Sequence, residues 1–213
     1  MKKLLFWMVL IVGIVALIGS CAKKDESTTA ASTSVTSTTA SGSITVGSET
    51  LSGTYVSECN TTGFAANAGL GLFPSDVKSG KTVIVVTSDT TFSDEMLMYT
   101  DTSCSTPTSY TKNGNTSVTV GVASGSNYLV TYASSTYKVQ ADTTVAETHL
   151  EAFILAATGS AVDLTVGTEY SLSGSGNSYK NVWSVTSTTF QQGEEEDNGT
   201  QPTEIDSMTM TKE

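Results

Sequence analysis

The chain is a succession of short segments rich in β-branched residues, separated by glycine and asparagine turn signals. Lys81–Thr87 is a continuous β-branched run, which is typical of a central strand buried on both faces. Val118, Val120 and Val122 alternate with other residues and indicate a strand with one buried face. Short strands at regular spacing, without a β-α-β rhythm, predict an all-β antiparallel barrel or sandwich.

Two segments depart from this rhythm. In Thr144–Ala157 the apolar residues have helical spacing, and Thr144 with Glu147 fits a capping box, which predicts one short helix. The alternative for this segment is another pair of strands. Asn60–Gly80 is rich in glycine and phenylalanine and is predicted to be a long loop lying over one end of the domain.

Charge and composition exclude several classes of function. The net charge is −11 and all ten basic residues are lysine, so a basic nucleic-acid surface is excluded. His149 is the only histidine, which leaves no basis for a His triad or a multi-His metal site, and we expect no metal or cofactor. The chain has one long apolar run, which argues against a multi-span membrane protein.

The N-terminus reads as an export signal that ends at a cysteine. Met1–Lys3 is a short basic start, and the apolar run Leu4–Ile18 is followed by Gly19-Ser20-Cys21. A spanning helix needs roughly 20 apolar residues, whereas a signal-peptide core needs about 7–15. Small residues directly before Cys21 resemble the lipobox of bacterial lipoproteins. The resemblance implies cleavage after residue 20, acylation of Cys21 and stable membrane anchoring.

The predicted boundaries are a signal peptide over 1–20, a lipidated Cys21 with a flexible Ser/Thr-rich linker over 21–48, and a β-barrel domain over 49–213. Lys23–Gly42 contains one large apolar residue, Val35, and cannot bury enough surface to offset the entropy of ordering.

With Cys21 consumed by lipid, Cys59 and Cys104 remain in an oxidising compartment. They are predicted to form a disulfide. A metal or redox pair is the disfavoured alternative, since neither a CxxC motif nor a neighbouring histidine is present.

The C-terminal segment is predicted to close the barrel. Ser207–Lys212 reads as a final short strand with Met208 and Met210 on one face. Closure would pair it with the first strand, around Gly53–Ser57, because pairing these two strands removes both sheet edges.

Several short motifs, taken in their order along the chain, resemble a group of small Gram-negative outer-membrane lipoproteins of unassigned function. The resemblance implies a lipocalin-like antiparallel barrel of about eight strands, although Tyr55 stands where that pattern prefers tryptophan. It also implies an envelope location, and Ala22, directly after Cys21, favours the outer membrane, facing the periplasm or the cell surface. The motifs are Gly53-Thr54-Tyr55 before Cys59, Tyr99-Thr100-Asp101 before Cys104, Tyr179–Val182, Phe190–Gly193 and Gln201–Asp206.

The sequence therefore predicts a non-enzymatic, lipid-anchored protein. Its barrel would bind a small apolar ligand or an envelope partner, and the alternative is a structural or adhesion module with a filled core. The candidate ligand-binding residues are Tyr55, Tyr128, Tyr132 and Trp183.

A carboxylate hydrolase is a remote alternative. Asp94 and Glu95 are adjacent, so in a strand they point to opposite faces and do not form a pair. A hydrolase would need some of Asp89, Asp94, Asp101 and Asp206 to meet in space. The acidic run Glu194–Asp197 lacks the alternating ligand spacing of a Ca²⁺ loop and is predicted to be a solvated loop tip.

Overall fold

The structure is a computed structural model that describes residues 23–24, 36–193 and 201–213. Its helices are α1 (Thr62–Gly69) and α2 (Thr144–Thr158). Its strands are β1 (Lys23–Lys24), β2 (Ile44–Val46), β3 (Glu49–Leu51), β4 (Thr54–Ser57), β5 (Ser79–Val86), β6 (Phe92–Tyr99), β7 (Pro107–Ser124), β8 (Asn127–Ala141), β9 (Tyr170–Ser173), β10 (Ser178–Val185), β11 (Thr189–Gln192) and β12 (Met210–Lys212).

Eight strands form a closed antiparallel barrel. Their order around the barrel is β4, β5, β6, β7, β8, β10, β11 and β12, and each pairs with the next. The barrel closes where β12 meets β4, with Met210 opposite Ser57 and Lys212 opposite Tyr55. The predicted all-β, lipocalin-like barrel is thus confirmed, as is the pairing of the C-terminal strand with residues 53–57.

Two further strands extend the wall outside the closed barrel. β10 pairs with the first half of β8, and β9 pairs with the second half of the same edge, with Tyr137 opposite Leu172. β1 pairs with β9, with Lys23 opposite Ser171. The edge of β8 is therefore covered along most of its length.

One end of the barrel is filled by an aromatic cluster, which consists of Tyr55, Phe92, Tyr132, Trp183 and Phe190. Trp183 lies at its centre, with its ring 5.3 Å from that of Phe92 and 5.2 Å from that of Phe190, both edge-to-face. Such tilted pairs are the favourable geometry for aromatic rings. The side chains at this end therefore fill the barrel themselves.

The β2–β3 hairpin adds to this cluster and corrects the predicted domain boundary. Ile44, Val46 and Leu51 are fully buried against the aromatic cluster. At the hairpin turn, a Cβ on Gly47 would lie 1.9 Å from the Tyr128 hydroxyl oxygen, so only glycine fits there. The predicted flexible linker over 21–48 is therefore wrong for residues 36–48, which pack on the barrel. Residues 21–22 and 25–35 lie outside the described part of the chain.

Residues 36–41 form a strap across the outer face of the barrel. The backbone N–H of Ser41 donates to the carbonyl of Val86, and Ala40 packs on an outer apolar cluster made of Val83, Val85, Leu97 and Tyr99. Thr36 is buried although it lies in a Ser/Thr-rich segment. The strap is ordered because hydrogen bonds to the barrel replace the apolar burial that its composition lacks.

Helix α2 confirms the predicted helix, with its cap shifted by one residue. Thr143 is the N-cap, and its side chain accepts a hydrogen bond from the N–H of Ala146. Thr144 is already helical, so the predicted Thr144–Glu147 capping box does not form. Ala146, Leu150 and Ile154 are buried against Tyr137 and Val139 of β8 in an α2 cluster.

The segment over 60–80 was predicted as a loop, and part of it is helix α1. Phe64 and Phe73 stack with ring centroids 5.4 Å apart and pack with Val77 and Met98 in an α1 cluster. Phe64 lies directly on Gly80, where a Cβ would come within 2.1 Å of its ring. Burial over one end of the barrel was predicted correctly, whereas the helix was missed.

None of the helices within the described residues has the length and apolar character needed to cross a bilayer.

Candidate functional site

Between the aromatic cluster and the two helix clusters, the inner face of the barrel is polar. Asp94 lies two residues after Phe92 on β6, and Gln192 lies two residues after Phe190 on β11. Because the side-chain period of a strand is two, these residues share the inner face with the aromatic cluster. All barrel strands except β12 contribute to this polar ring, which consists of Ser57, Thr82, Asp94, Asn113, Asn115, Ser134, Asn181 and Gln192.

The strand register fixes the orientation of Asp94. It lies opposite Ile84 on β5 and opposite Asn113 on β7. Ile84 is fully buried beside the aromatic cluster. The Asp94 carboxylate also hydrogen-bonds the side chain of Gln192, and β6 and β11 are not neighbours in the sheet. The bond therefore crosses the interior of the barrel.

Gln192 joins Asp94 to a second group of polar contacts. The Asn181 side chain donates to Gln192 Oε1 over 3.5 Å. Asn181 Oδ1 accepts from the backbone N–H of Val182 and of Gly193, at 2.7 and 2.8 Å. Asn181 Oδ1 thus has two backbone donors, and the Asn181 amide group lies beside Gln192.

Other polar atoms of the ring have no partner within the described part of the chain. They are Asn113 Oδ1 and Ser134 Oγ, and the indole N–H of Trp183 nearby is also without an acceptor. Ser134 is only 3 % exposed. Buried polar atoms are nearly always hydrogen-bonded, so such exceptions require an explanation.

The charge of Asp94 is also uncompensated. Burial raises the pKa of Asp94 to about 6, against the hydrogen bond with Gln192, and the negative charge of Glu95 adds to the increase. The ion pairs between described residues are made by Lys112 and Lys138 with Glu95 and Glu169, and none includes Asp94. The ring thus holds a carboxylate that lacks a cation.

On the outer face, the carboxylate of the neighbouring residue Glu95 has both hydrogen-bond donors and a nearby cation. Its carboxylate accepts hydrogen bonds from the hydroxyls of Thr36, Thr38 and Ser93, and Lys112 Nζ lies 3.9 Å away. Glu95 is 1 % exposed because the strap covers it. Asp94 and Glu95 therefore face opposite sides of β6, as the sequence predicted.

Glu169 lies in the same outer layer. Its carboxylate accepts from Lys138 Nζ at 2.7 Å and from the Tyr110 hydroxyl at 2.6 Å, and Lys112 Nζ lies 3.4 Å away. Burial works against the charge of Glu169, but these hydrogen bonds and charges lower its pKa overall. The outer network is self-contained and holds the strap.

The residues predicted to bind an apolar ligand lie at the filled end. Tyr55, Tyr132 and Trp183 belong to the aromatic cluster, and Tyr128 packs against it. Their contacts with one another account for their burial. This arrangement favours the predicted alternative, a filled core, at this end of the barrel.

The structure confirms the disulfide between Cys59 and Cys104, which are 45 positions apart. It links the segment after β4 to the loop after β6. The predicted lipidation site, Cys21, and the acidic run Glu194–Asp197 lie outside the described residues.

The remaining predicted candidates do not assemble into a catalytic group. Asp101 accepts hydrogen bonds from Ser103, Ser105 and Thr106 in its own loop, and Asp206 accepts from the N–H of Met208. His149 is half-buried on α2, where burial lowers its pKa and its ring bonds the backbone of Leu72. Within the described ranges, no three His, Cys, Asp or Glu side chains are placed to bind a metal ion.

Sequence reasoning missed the polar ring as a unit. Its members are single polar residues at inward positions of separate strands, and each of them alone looks like an ordinary interruption of an apolar pattern. The available signal was Asp94, a carboxylate two residues after Phe92 on the same strand face.

In sequence comparisons, the chain matches no model of a known protein family and no curated protein.

Proposed function

We propose that this protein is a lipid-anchored, non-enzymatic binding protein of the bacterial envelope, which uses the interior of its barrel to hold a small ligand. The observation that carries the proposal is the polar ring. Asn113 Oδ1 and Ser134 Oγ are buried without partners on the inner face, and the Asp94 carboxylate beside them lacks a cation. A few polar groups set in an apolar interior are typical of small-molecule sites.

The ligand predicted from the sequence was apolar, and the packing argues for a different one. The aromatic end is occupied by the chain's own side chains, with Trp183 fully buried. The surface left for a ligand is the polar ring, where an apolar molecule would leave the buried polar atoms unsatisfied. A polar ligand fits this interior better.

The anchor is proposed from the N-terminal sequence. Leu4–Ile18 followed by Gly19-Ser20-Cys21 supports export and acylation of Cys21, and Ala22 supports the outer membrane. The domain would face the periplasm or the cell surface.

The anchor is tested by labelling cells with radioactive palmitate. We expect the wild type and the control Ser27→Ala to take the label and Cys21→Ser to lose it. An unlabelled wild type, with Cys21→Ser still in the membrane fraction, would rule out the lipoprotein assignment.

Ligand binding is tested by native mass spectrometry of the protein purified from its own envelope. We expect an added mass that disappears when the protein is unfolded and refolded in ligand-free buffer. An unchanged protein mass would instead support the second candidate, a structural or adhesion module, which the filled aromatic end favours.

A further inference from the structure

We propose that the polar ring binds a primary ammonium group, so that the ligand of this protein is a small organic amine. The inference rests on the proposed function, since it names the chemical class of ligand for the same interior. It is carried by the position and the unmet hydrogen bonds of Asp94, Asn113 and Ser134.

These three residues lie on consecutive strands of the barrel. Asp94 of β6 is the register partner of Asn113 of β7. Ser134 of β8 lies opposite Asn115, two residues further along β7 than Asn113. Directly opposite side chains have Cβ atoms about 4.5–5.5 Å apart, and diagonal neighbours are about 7–8 Å apart. One small group can therefore contact Asp94 and Asn113 together, with Ser134 beside it on the next strand.

The atoms that need a partner are acceptors. Asn113 Oδ1 accepts only, an ionised Asp94 accepts only, and the Ser134 hydroxyl can accept. A primary ammonium has three N–H donors and a positive charge. It would donate to the Asp94 carboxylate and to Asn113 Oδ1, would direct its third N–H to the side where Ser134 lies, and would neutralise the one carboxylate of the ring.

A divalent metal ion fits the same residues less well. Such ions need several anionic or oxygen ligands in a defined geometry, and Ca²⁺ takes six to eight. The ring offers one carboxylate, and no group of three acidic, His or Cys side chains is found among the described residues.

A ligand would reach Asp94 from the helix side of the ring. On β6, Phe92 is fully buried, whereas Asp94 and Met96 on the same face keep partial exposure. The organic part of the amine would lie along Met96, whose polarizable side chain adapts to different shapes. The ammonium group would then point toward the ring and away from the helices.

Ionisation of Asp94 makes the binding depend on pH. With a pKa of about 6 in the free protein, Asp94 is mostly charged at pH 7.5 and mostly protonated at pH 5. Only the charged form attracts a cation. Affinity for an amine should therefore fall roughly tenfold between pH 7.5 and pH 5.

The test uses the full-length protein in detergent micelles and two probes of equal size, n-butylammonium chloride and n-butanol. Binding is followed by the Met96 methyl and Trp183 indole resonances. We expect saturable shifts with n-butylammonium at pH 7.5, affinity about tenfold weaker at pH 5, and no shift with n-butanol.

Two substitutions make the test specific. Asp94→Asn keeps the shape and removes the charge, and it should weaken n-butylammonium binding at least tenfold and abolish its pH dependence. Asn113→Ala removes the unpartnered acceptor and should weaken binding several-fold without changing the pH dependence. Asp89→Asn, at an exposed carboxylate in the turn before β6, is the control and should bind like the wild type.

Equal shifts with both probes, or Asp94→Asn binding like the wild type, would overturn the ammonium assignment. So would a neutral or anionic ligand in the native mass spectrum, and that result would leave the proposed binding function standing. Failure of the binding function itself would appear as a protein without any ligand in that spectrum.

Discussion

Asp94 and Glu95 are neighbours on one strand, but the carboxylate of Glu95 is surrounded by donors and that of Asp94 is not. Glu95 faces outward under the strap, where three hydroxyls and Lys112 satisfy its carboxylate. Asp94 faces the barrel interior, where Gln192 is its side-chain partner and Asn113 Oδ1 beside it has none. A buried carboxylate with a complete set of donors stabilises the fold, whereas one without them is available to a ligand.

The same contrast holds for the two ends of the interior. The side chains of the aromatic cluster fill this end by packing on one another, and only the Tyr55 hydroxyl and the indole N–H of Trp183 are buried polar atoms without a partner among its described residues. The polar ring has groups that the chain itself leaves unmatched. The layer that packs on itself and the layer proposed to bind a ligand are thus adjacent in one barrel.

The largest loss of stability is expected when the barrel is opened, because its interior is then no longer separated from solvent. Deleting residues 207–213 removes β12, which pairs with both β11 and β4. The barrel would open, two strand edges and the aromatic cluster would be exposed, and the product should aggregate. Size-exclusion chromatography and thermal unfolding check this. A monomeric truncated chain that unfolds cooperatively would contradict barrel closure.

Breaking the disulfide should have the next largest effect. Cys104→Ser should lower the free energy of unfolding by about 4 kcal/mol, because the unfolded chain gains the entropy of an open loop. Urea denaturation of oxidised protein measures the change. The double variant Cys59→Ser/Cys104→Ser should match the single one, and a clear additional loss in the double variant would count against a bond between these two residues.

On the outer face, Glu95→Ala should lower the free energy of unfolding by about 3 kcal/mol. It removes the acceptor of three hydroxyls. It also leaves Glu169 as the one carboxylate paired with Lys112 among the described residues. Hydrogen exchange of residues 36–41 should rise sharply, since the strap loses its main attachment. Glu95→Gln keeps an acceptor, so its exchange rate and its stability should lie between those of the wild type and of Glu95→Ala. An unchanged strap in the alanine variant would show that Glu95 does not hold it.

In the interior, Asp94→Asn should stabilise the protein, by about 2 kcal/mol above pH 7. The ordinary pKa of 3.8 applies to the unfolded chain, and in the folded protein it is about 6. The folded state therefore keeps the proton longer, and wild-type stability falls as pH rises from 4 to 6. The gain from Asn should therefore grow as pH rises over that range, when the free energy of unfolding is measured at each pH. A constant difference from pH 4 to 8 would refute a raised Asp94 pKa.

The sequence predicted what depends on local periodicity. The barrel, helix α2, the disulfide and the closing pair β12–β4 follow from alternation, helical spacing and cysteine count. The sequence was less informative about which side chains of β7 face inward. Val118, Val120 and Val122 were predicted to share one face, but Val118 is buried and Val122 is 72 % exposed. Two register shifts between Thr116 and Ala123 separate them, and bulges of this kind leave no mark in the alternation.

The packing of residues 36–48 and the polar ring were beyond prediction for a different reason. The strap is ordered by Glu95, which lies far away in sequence. The Ser/Thr-rich segment itself contains no signal that predicts this contact. The ring likewise depends on strands that are distant in sequence. Composition describes what a segment does alone, and both features exist only once the barrel has closed.

The pairing of β12 with β4 also constrains how the protein comes to be folded. Its contacts join the two ends of the domain, so the contact order is high, and such topologies fold slowly for their size. A chain made from its N-terminus presents β4 long before Met210 exists. Until the last residues emerge, β4 lacks its second neighbour, and Met210 does not yet pack on the aromatic cluster. The closed barrel therefore forms only after the last residues have been synthesised.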